Sequence, residues 1–244
     1  MASLRTTAII CSVRQHGEHG AVVRSLTPDN GLMAGFVRGA RSRTMRPVLI
    51  PSNIVQADYR ARTEEQLASM TAELEQSRGP YLSEPLASAA LDWVTALTAA
   101  ILPEEQNYPQ LHAALSALLD AICGAPSARG WAVALVRYEL LLLSELGFGL
   151  TLDKCAVTGG DEDLVYISPK SAMAVSKKAG QVYKHKLLPL PAFLKEPDSP
   201  EWGDIFDGLR VTGFFLKRHF FEDRRNDVMA SRSVLVDRLK RVVA

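Results

Sequence analysis

The spacing of the apolar residues changes once along the chain, at Gly79-Pro80, and that change limits the fold more than any other feature. Before it the apolar residues come in short runs, Thr7 to Val13, Ala21 to Leu26, Leu32 to Arg38, Asn53 to Tyr59 and Gln66 to Ala72. Between them stand Gln15-His-Gly-Glu-His-Gly20, Thr27-Pro-Asp-Asn-Gly31, an arginine-rich connector and the segment Arg60 to Glu65. Glycine, proline, asparagine and aspartate supply the backbone conformations of tight turns, so the pattern reads as five strands with short connections. Five strands in a segment of this length make a small antiparallel barrel of OB-fold size. An SH3-like barrel gives nearly the same pattern.

After Gly79-Pro80 the period becomes that of a helix. Glu84 to Leu102 sets Leu86, Ala89, Ala90, Trp93, Val94, Leu97 and Ile101 on one face, and Tyr108 to Ile122 repeats the pattern with Leu111, Leu115, Leu118, Leu119 and Ile122. Ala128 to Leu146 is apolar nearly all round, which places it at the centre of a helical domain, and Gly147 and Gly149 end it. Glu201 to Phe221 and Ser231 to Val243 read as two further helices, and 152–183 as a small β insertion. The expected class is α+β: a barrel domain over residues 1–79 and a helical domain over 80–244 that carries the insertion.

Charge is sorted along this framework. Residues 1–62 hold nine arginines, no lysine and three acids, Glu18, Asp29 and Asp58, a balance of +6 in a chain whose total is +1. Residues 63–216 carry −9. Local potential rather than net charge governs the encounter with a polyanion, so the near-neutral total does not argue against nucleic acid. Four arginines, Arg38, Arg41, Arg43 and Arg46, lie within nine residues of the connector. Each guanidinium can fork two hydrogen bonds onto one phosphate. A solvated basic loop is the plainer alternative.

Other motifs exclude more than they assign. There is no Gly-x-x-x-x-Gly-Lys-Ser/Thr and no Gly-x-Gly-x-x-Gly, so neither ATP hydrolysis nor a dinucleotide cofactor is expected. His16-Gly-Glu-His19 lacks metalloprotease spacing and reads as a polar hairpin turn, and Asp161-Glu-Asp163 as an exposed acidic turn. No enzymatic activity is expected. Three isolated cysteines, Cys11, Cys123 and Cys155, fit a reducing compartment. No apolar run has the length of a membrane span and no signal-peptide layout precedes the barrel, so a cytoplasmic protein is expected.

The sequence also resembles a known family. Ala8-Ile-Ile-Cys-Ser-Val-Arg-Gln-His-Gly-Glu18, Leu26-Thr-Pro-Asp-Asn-Gly31, Arg38-Gly-Ala-Arg-Ser42, Arg137-Tyr-Glu-Leu-Leu-Leu-Leu-Ser-Glu-Leu-Gly-Phe-Gly149 and Tyr166-Ile-Ser-Pro-Lys-Ser171 are similar, in order and spacing, to the bacterial recombination mediators of the RecO family. The resemblance implies an N-terminal OB-fold and a helical C-terminal domain. It implies a nucleoid-associated DNA repair protein that binds single- and double-stranded DNA and anneals strands coated with single-strand-binding protein (SSB). RecR would be a partner in loading RecA, with RecF and the RecA filament as further partners. Carried over by residue, the family's basic loop falls on Arg38, Gly39, Ala40, Arg41 and Ser42. Arg38, Arg41, Arg43 and Arg46 are the expected phosphate contacts, with Arg14 and Arg24 on the neighbouring face as secondary contacts. Phosphate contacts position a strand without reading its sequence.

The family's arginine before an aromatic and a glutamate falls on Arg137, expected to fork the carboxylate of the SSB tail; an intramolecular ion pair is the alternative for a charge on so apolar a helix. Residues 1–62 hold two aromatics, Phe36 and Tyr59; Phe36 suits core or stacking platform equally, and Tyr59 suits the core. Many relatives carry a four-cysteine zinc site in the insertion, but here Thr158 stands at the pair position of Cys155 and no further cysteine follows up to Lys186. No zinc is expected, because one thiolate and His185 do not make a tetrahedral site. The insertion is expected to be held by Leu164, Tyr166, Ile167, Met173, Val175 and Val182. A non-enzymatic protein–protein adaptor, its arginines serving solubility, remains the second reading.

Overall fold

A computed structural model describes residues 2–63, 66–196, 200–222 and 228–243. Five strands, β1 (Ala2–His16), β2 (Gly20–Thr27), β3 (Gly31–Val37), β4 (Ile54–Ala61) and β5 (Ala68–Gln76), form a closed barrel in the order β1-β2-β3-β5-β4. β1 is twice as long as the run that signalled it because it serves two partners. Its Ile9–His16 stretch pairs with β2 and its Ala2–Ile9 stretch with β4. A register shift between Ile10 and Ser12 bends the strand between these two tasks, as a bulge does at a barrel corner. β3 closes the barrel through a short parallel pairing, Gly35 with Ala68 and Phe36 with Ser69. This five-stranded Greek-key closure makes the barrel an OB-fold.

Alternation along the strands sends one set of side chains inward. Ala8, Ile10, Ala21, Val23, Val37, Val55, Ala57, Tyr59 and Met70 form the barrel core. Tyr59, 2% exposed, shares a hydrogen bond with the Ser25 hydroxyl, as a buried phenol requires.

Chain contacts divide the molecule into two compact units, 1–124 with 230–242, and 125–229 with 243–244. In the first, the barrel is joined by α1 (Pro85–Ile101), α2 (Pro109–Gly124) and α6 (Val228–Val243). Pro85 sits in the first turn of α1, where its missing N–H costs nothing. α6 buries Leu235 and Leu239, and its Arg232 guanidinium lies 5.7 Å from the Trp93 ring centre. Gly31 adopts φ +68, and a methyl group there would meet the Gln106 carbonyl at 1.8 Å, so the segment after α1 lies directly on the β2–β3 turn.

In the second unit, α3 (Ala128–Glu145) packs on α5 (Trp202–Leu216). The close approach is made at Gly208, where a methyl group would meet Phe193 at 2.8 Å and Val136 at 3.1 Å. The buried Glu139 carboxylate accepts a hydrogen bond from Thr212. α5 opens with a capping box of Glu201 and Asp204 and runs into a π-helical turn over Lys217–Phe221, so the single helix expected to Phe221 changes its winding after Leu216. A four-stranded sheet, β6 (Thr151–Cys155), β8 (Met173–Ser176), β7 (Leu164–Ile167) and β9 (Leu188–Pro189) in that order, occupies the position of the expected insertion and reaches a few residues beyond it. Leu164, Ile167 and Val175 are buried there, but Val182 is 74% exposed on a 3-10 turn and takes no part. Cys155 is buried, and its sulfur accepts the Ser176 N–H at 3.3 Å.

Two buried groups on the barrel strands, one of them in the barrel core, have an ionisation that opposes folding. Burial pushes the Cys11 thiol and the Tyr59 phenol each up to about 12. In the unfolded chain they ionise near about 8.5 and 10, so above those values the unfolded state loses protons first. Their contribution is intact below about pH 8.5 and is lost as pH rises towards the folded values. The thermal midpoint should therefore fall progressively in alkaline buffer, and less steeply for a Cys11→Ala/Tyr59→Phe variant. Identical alkaline slopes for the two proteins would place the loss outside the barrel.

Candidate nucleic-acid interface

The connector between β3 and β4 is a built structure, where the sequence suggested an open loop. Consecutive turns run from Gly39 to Leu49, with backbone bonds Ser42 N–H to Gly39 O (2.9 Å), Arg46 N–H to Ser42 O (3.1 Å) and Leu49 N–H to Met45 O (2.9 Å). Gly39 takes φ +66 at the first turn. Ala40 and Leu49 are buried in the barrel core, and Met45 and Val48 pack against it. These four apolar feet alternate with Arg38, Arg41, Arg43 and Arg46, all exposed. The alternation presents the guanidinium groups outward from a backbone fixed from beneath.

The far end of the connector is fixed by a polar network. The Asn53 side-chain amide donates to the carbonyls of Pro47 (2.9 Å) and Val48 (3.1 Å), and its oxygen accepts the Arg78 N–H at 2.8 Å. The Arg78 guanidinium, 1% exposed, donates to Ser52 O and to the Asp120 carboxylate, each at 2.5 Å. Near the start of the connector, Arg41 donates to the Gln15 side chain on β1. The arginine loop thus leans on the β1–β2 hairpin.

Cross-strand register extends this basic surface onto the barrel wall. Arg14, Val22 and Phe36 oppose one another across β1, β2 and β3, on the outward face. Arg14 is exposed and Phe36 half-buried, whereas Gly35 and Val37 beside it point inward. His16 meets the Phe36 ring edge-to-face at 6.0 Å. A methyl group at Gly20 would meet the same ring at 2.4 Å, so the ring occupies the space that glycine leaves.

The next row is closed off. Arg24 sits two residues along β2 from Val22, and its guanidinium is 3.0 Å from the Glu104 carboxylate and donates to the carbonyl of Ala99. Ala99 belongs to the last turn of α1, whose carbonyls have no partner within the helix. Arg24 caps that helix end. The structure therefore leaves Arg14 exposed, next in sequence to the Gln15 that Arg41 reaches, and commits Arg24 to packing. Among the described residues, Arg14, Arg38, Arg43 and Arg46 make no ion pair.

Asp58, on β4, is held by Arg60 at 2.9 Å, and that hydrogen bond lowers its pKa. A separate cleft of about 660 Å³ is lined by Leu4, Met33, Tyr59 and Leu67 with Glu104 and Glu105, and its acids set it apart from the arginine face.

Arg137 is exposed on α3 and makes no ion pair among the described residues. The helix is not buried all round: Val133, Ala134, Leu140 and Leu141, at the positions one turn before and after Arg137, are half-buried and surround it with apolar surface. Among the described residues no group of three or more His, Cys, Asp or Glu side chains is placed to hold a metal ion, and no helix is long and apolar enough to cross a membrane. Sequence reasoning missed Gln15, His16, Gly20 and Asn53. Gly20 pairs with His16 and stands two residues before Val22, the partner of Phe36, a diagonal relation that the sequence alone does not mark; Asn53 gave no signal either.

A closed barrel with a cationic connector, joined to helices and followed by a helical unit with its own small sheet, defines an OB-fold protein with an exposed basic face. Residues 1–78 match the family profile Recombination protein O N terminal, and residues 82–227 match Recombination protein O C terminal. DNA repair protein RecO of Rhodospirillum centenum is 42% identical over 237 residues, 96% of this chain and 93% of that protein. RecO of Caulobacter vibrioides is 44% identical over 235 residues, 95% of each chain, and RecO of a Bradyrhizobium species is 42% identical over 228. The chain belongs to the RecO family of DNA repair proteins.

The division between Arg24 and the loop arginines is measurable in stability. Arg24→Ala strands the Ala99 carbonyl and Glu104 and should cost about 1–2 kcal/mol. Arg38→Ala or Arg43→Ala should stay within about 0.5 kcal/mol of the parent. Urea unfolding of the three variants checks the order, and equal losses would contradict it.

Proposed function

We propose that this protein acts in recombinational DNA repair as a non-catalytic mediator. Its barrel, residues 1–79, holds single- and double-stranded DNA by the phosphates, and the rest of the chain docks the SSB tail. The observation that carries the reading is the arginine loop: Arg38, Arg41, Arg43 and Arg46 exposed, unpaired with acids among the described residues, and anchored by buried apolar feet. A preorganised set of guanidinium forks meets a phosphate backbone without first having to be ordered. Arg14 extends the contact across β1, and Arg24 supports the face from behind.

At the second site Arg137 forks the terminal carboxylate of the SSB tail while Val133, Leu140 and Leu141 receive its apolar residue. Tail docking raises the local concentration of the arginine loop at coated DNA, so weak phosphate contacts suffice for capture and annealing. RecR, RecF and RecA complete the partners in this reading, and the protein works in the cytoplasm at the nucleoid.

Two measurements test it. Binding of a labelled single-stranded oligonucleotide should fall steeply with salt. The Arg38/Arg41/Arg43/Arg46→Ala variant should bind more weakly, its plot of log affinity against log salt flattened by about 0.7 per lost phosphate contact. Absence of binding by the parent at low salt would favour the adaptor reading. Arg137→Ala should abolish annealing of SSB-coated strands and leave binding to naked strands intact; equal loss in both assays would break the proposed coupling.

A further inference from the structure

We propose that Phe36, laid over Gly20 and flanked by His16, is a stacking platform for one unpaired base, and that this ring sets a preference for single-stranded over duplex DNA. The inference rests on the DNA reading of the arginine loop and adds to it a contact with a base.

The barrel does not need this ring for its core. From β3 the core takes Val37 and, at its margin, Met33, which lie on the opposite face of the strand from Phe36. Of the two aromatics in residues 1–62, Tyr59 is sealed inside against Ser25, which leaves Phe36 as the one ring on the outer wall. Its place there is prepared. Gly20 leaves the surface beneath it empty, at a distance where any other side chain would displace the ring. His16 flanks it in a T-shaped arrangement, the two ring planes 85° apart.

The surroundings are those of a strand-binding site. Arg38 follows two residues after Phe36 on the same chain. Arg14 lies across Val22, two strand spacings or about 10 Å from Phe36 in the cross-strand register. Arg41 reaches Gln15, the neighbour of His16. An aromatic face among guanidinium groups can take a base on the ring while the adjoining phosphates meet the arginines. Every base has a π-face, so the contact is indifferent to sequence. In a duplex both faces of each base are already covered by its neighbours, so Phe36 gains nothing there without unstacking. The arginines bind both forms, and the ring distinguishes them.

The test compares single-stranded and duplex oligonucleotides of equal length across a salt series, for the parent, Phe36→Leu and Phe36→Tyr. Phe36→Leu should lose between about 5- and 150-fold on the single strand, the range of base–aromatic stacking, with the salt slope unchanged and duplex affinity within about twofold. Phe36→Tyr should restore binding. Parallel losses on both substrates, or no loss on either, would overturn the platform. A measurement on the parent alone removes dependence on how the variant folds: an oligonucleotide carrying a fluorescent purine analogue should be quenched on binding, and unchanged emission at saturation overturns the proposal. Binding of neither substrate by the parent at low salt would instead bring down the DNA reading beneath it.

Discussion

The buried guanidinium of Arg78 is the interaction on which the functional half of the molecule depends. At 1% exposed it has exchanged water for the Ser52 carbonyl and the Asp120 carboxylate, one on the barrel and one on α2. A charge so deeply placed needs acceptors, and both terminal nitrogens have one while the buried Nε has none. The geometry extends through its backbone N–H to Asn53, and from Asn53 to both carbonyls at the end of the arginine loop. Ser52 between them holds φ 81, a conformation that a non-glycine residue keeps only when its surroundings impose it. Helix attachment and loop placement share one hydrogen-bonded network.

The architecture was legible where it depends on local pattern. Short apolar runs separated by turn residues marked the five strands, and period 3.6 marked the long helices. The closing order was not legible: whether β3 meets β5 in parallel is decided by two residue pairs and by the bend of β1 at Cys11, neither of which leaves a mark on hydropathy. Glu64 and Glu65, read as part of a turn, lie outside the described residues.

The site was half legible for a related reason. Clustering in sequence found Arg38, Arg41, Arg43 and Arg46, since a short loop keeps its residues together. Arg24 and Arg14 look alike in sequence, both on strands and both basic, yet the end of α1 covers one and not the other. Arg137 looked enclosed because its helix is rich in leucine, but half-buried positions form a stripe around it. What a side chain meets across space, rather than along the chain, separates a cap from a contact.

The path of the chain has a consequence for how it comes to be folded. α6 belongs for most of its length to the barrel-bearing unit, filling it with Leu235 and Leu239 and reaching Trp93 through Arg232, yet residues 125–227 lie between α2 and α6 in sequence. Synthesis therefore delivers nearly all of the second unit before the last piece of the first. Domains emerging from the ribosome tend to fold as units in order of appearance. Here the inserted unit has nearly all its parts first, and the barrel-bearing unit must wait, its helices short of one neighbour, until α6 arrives.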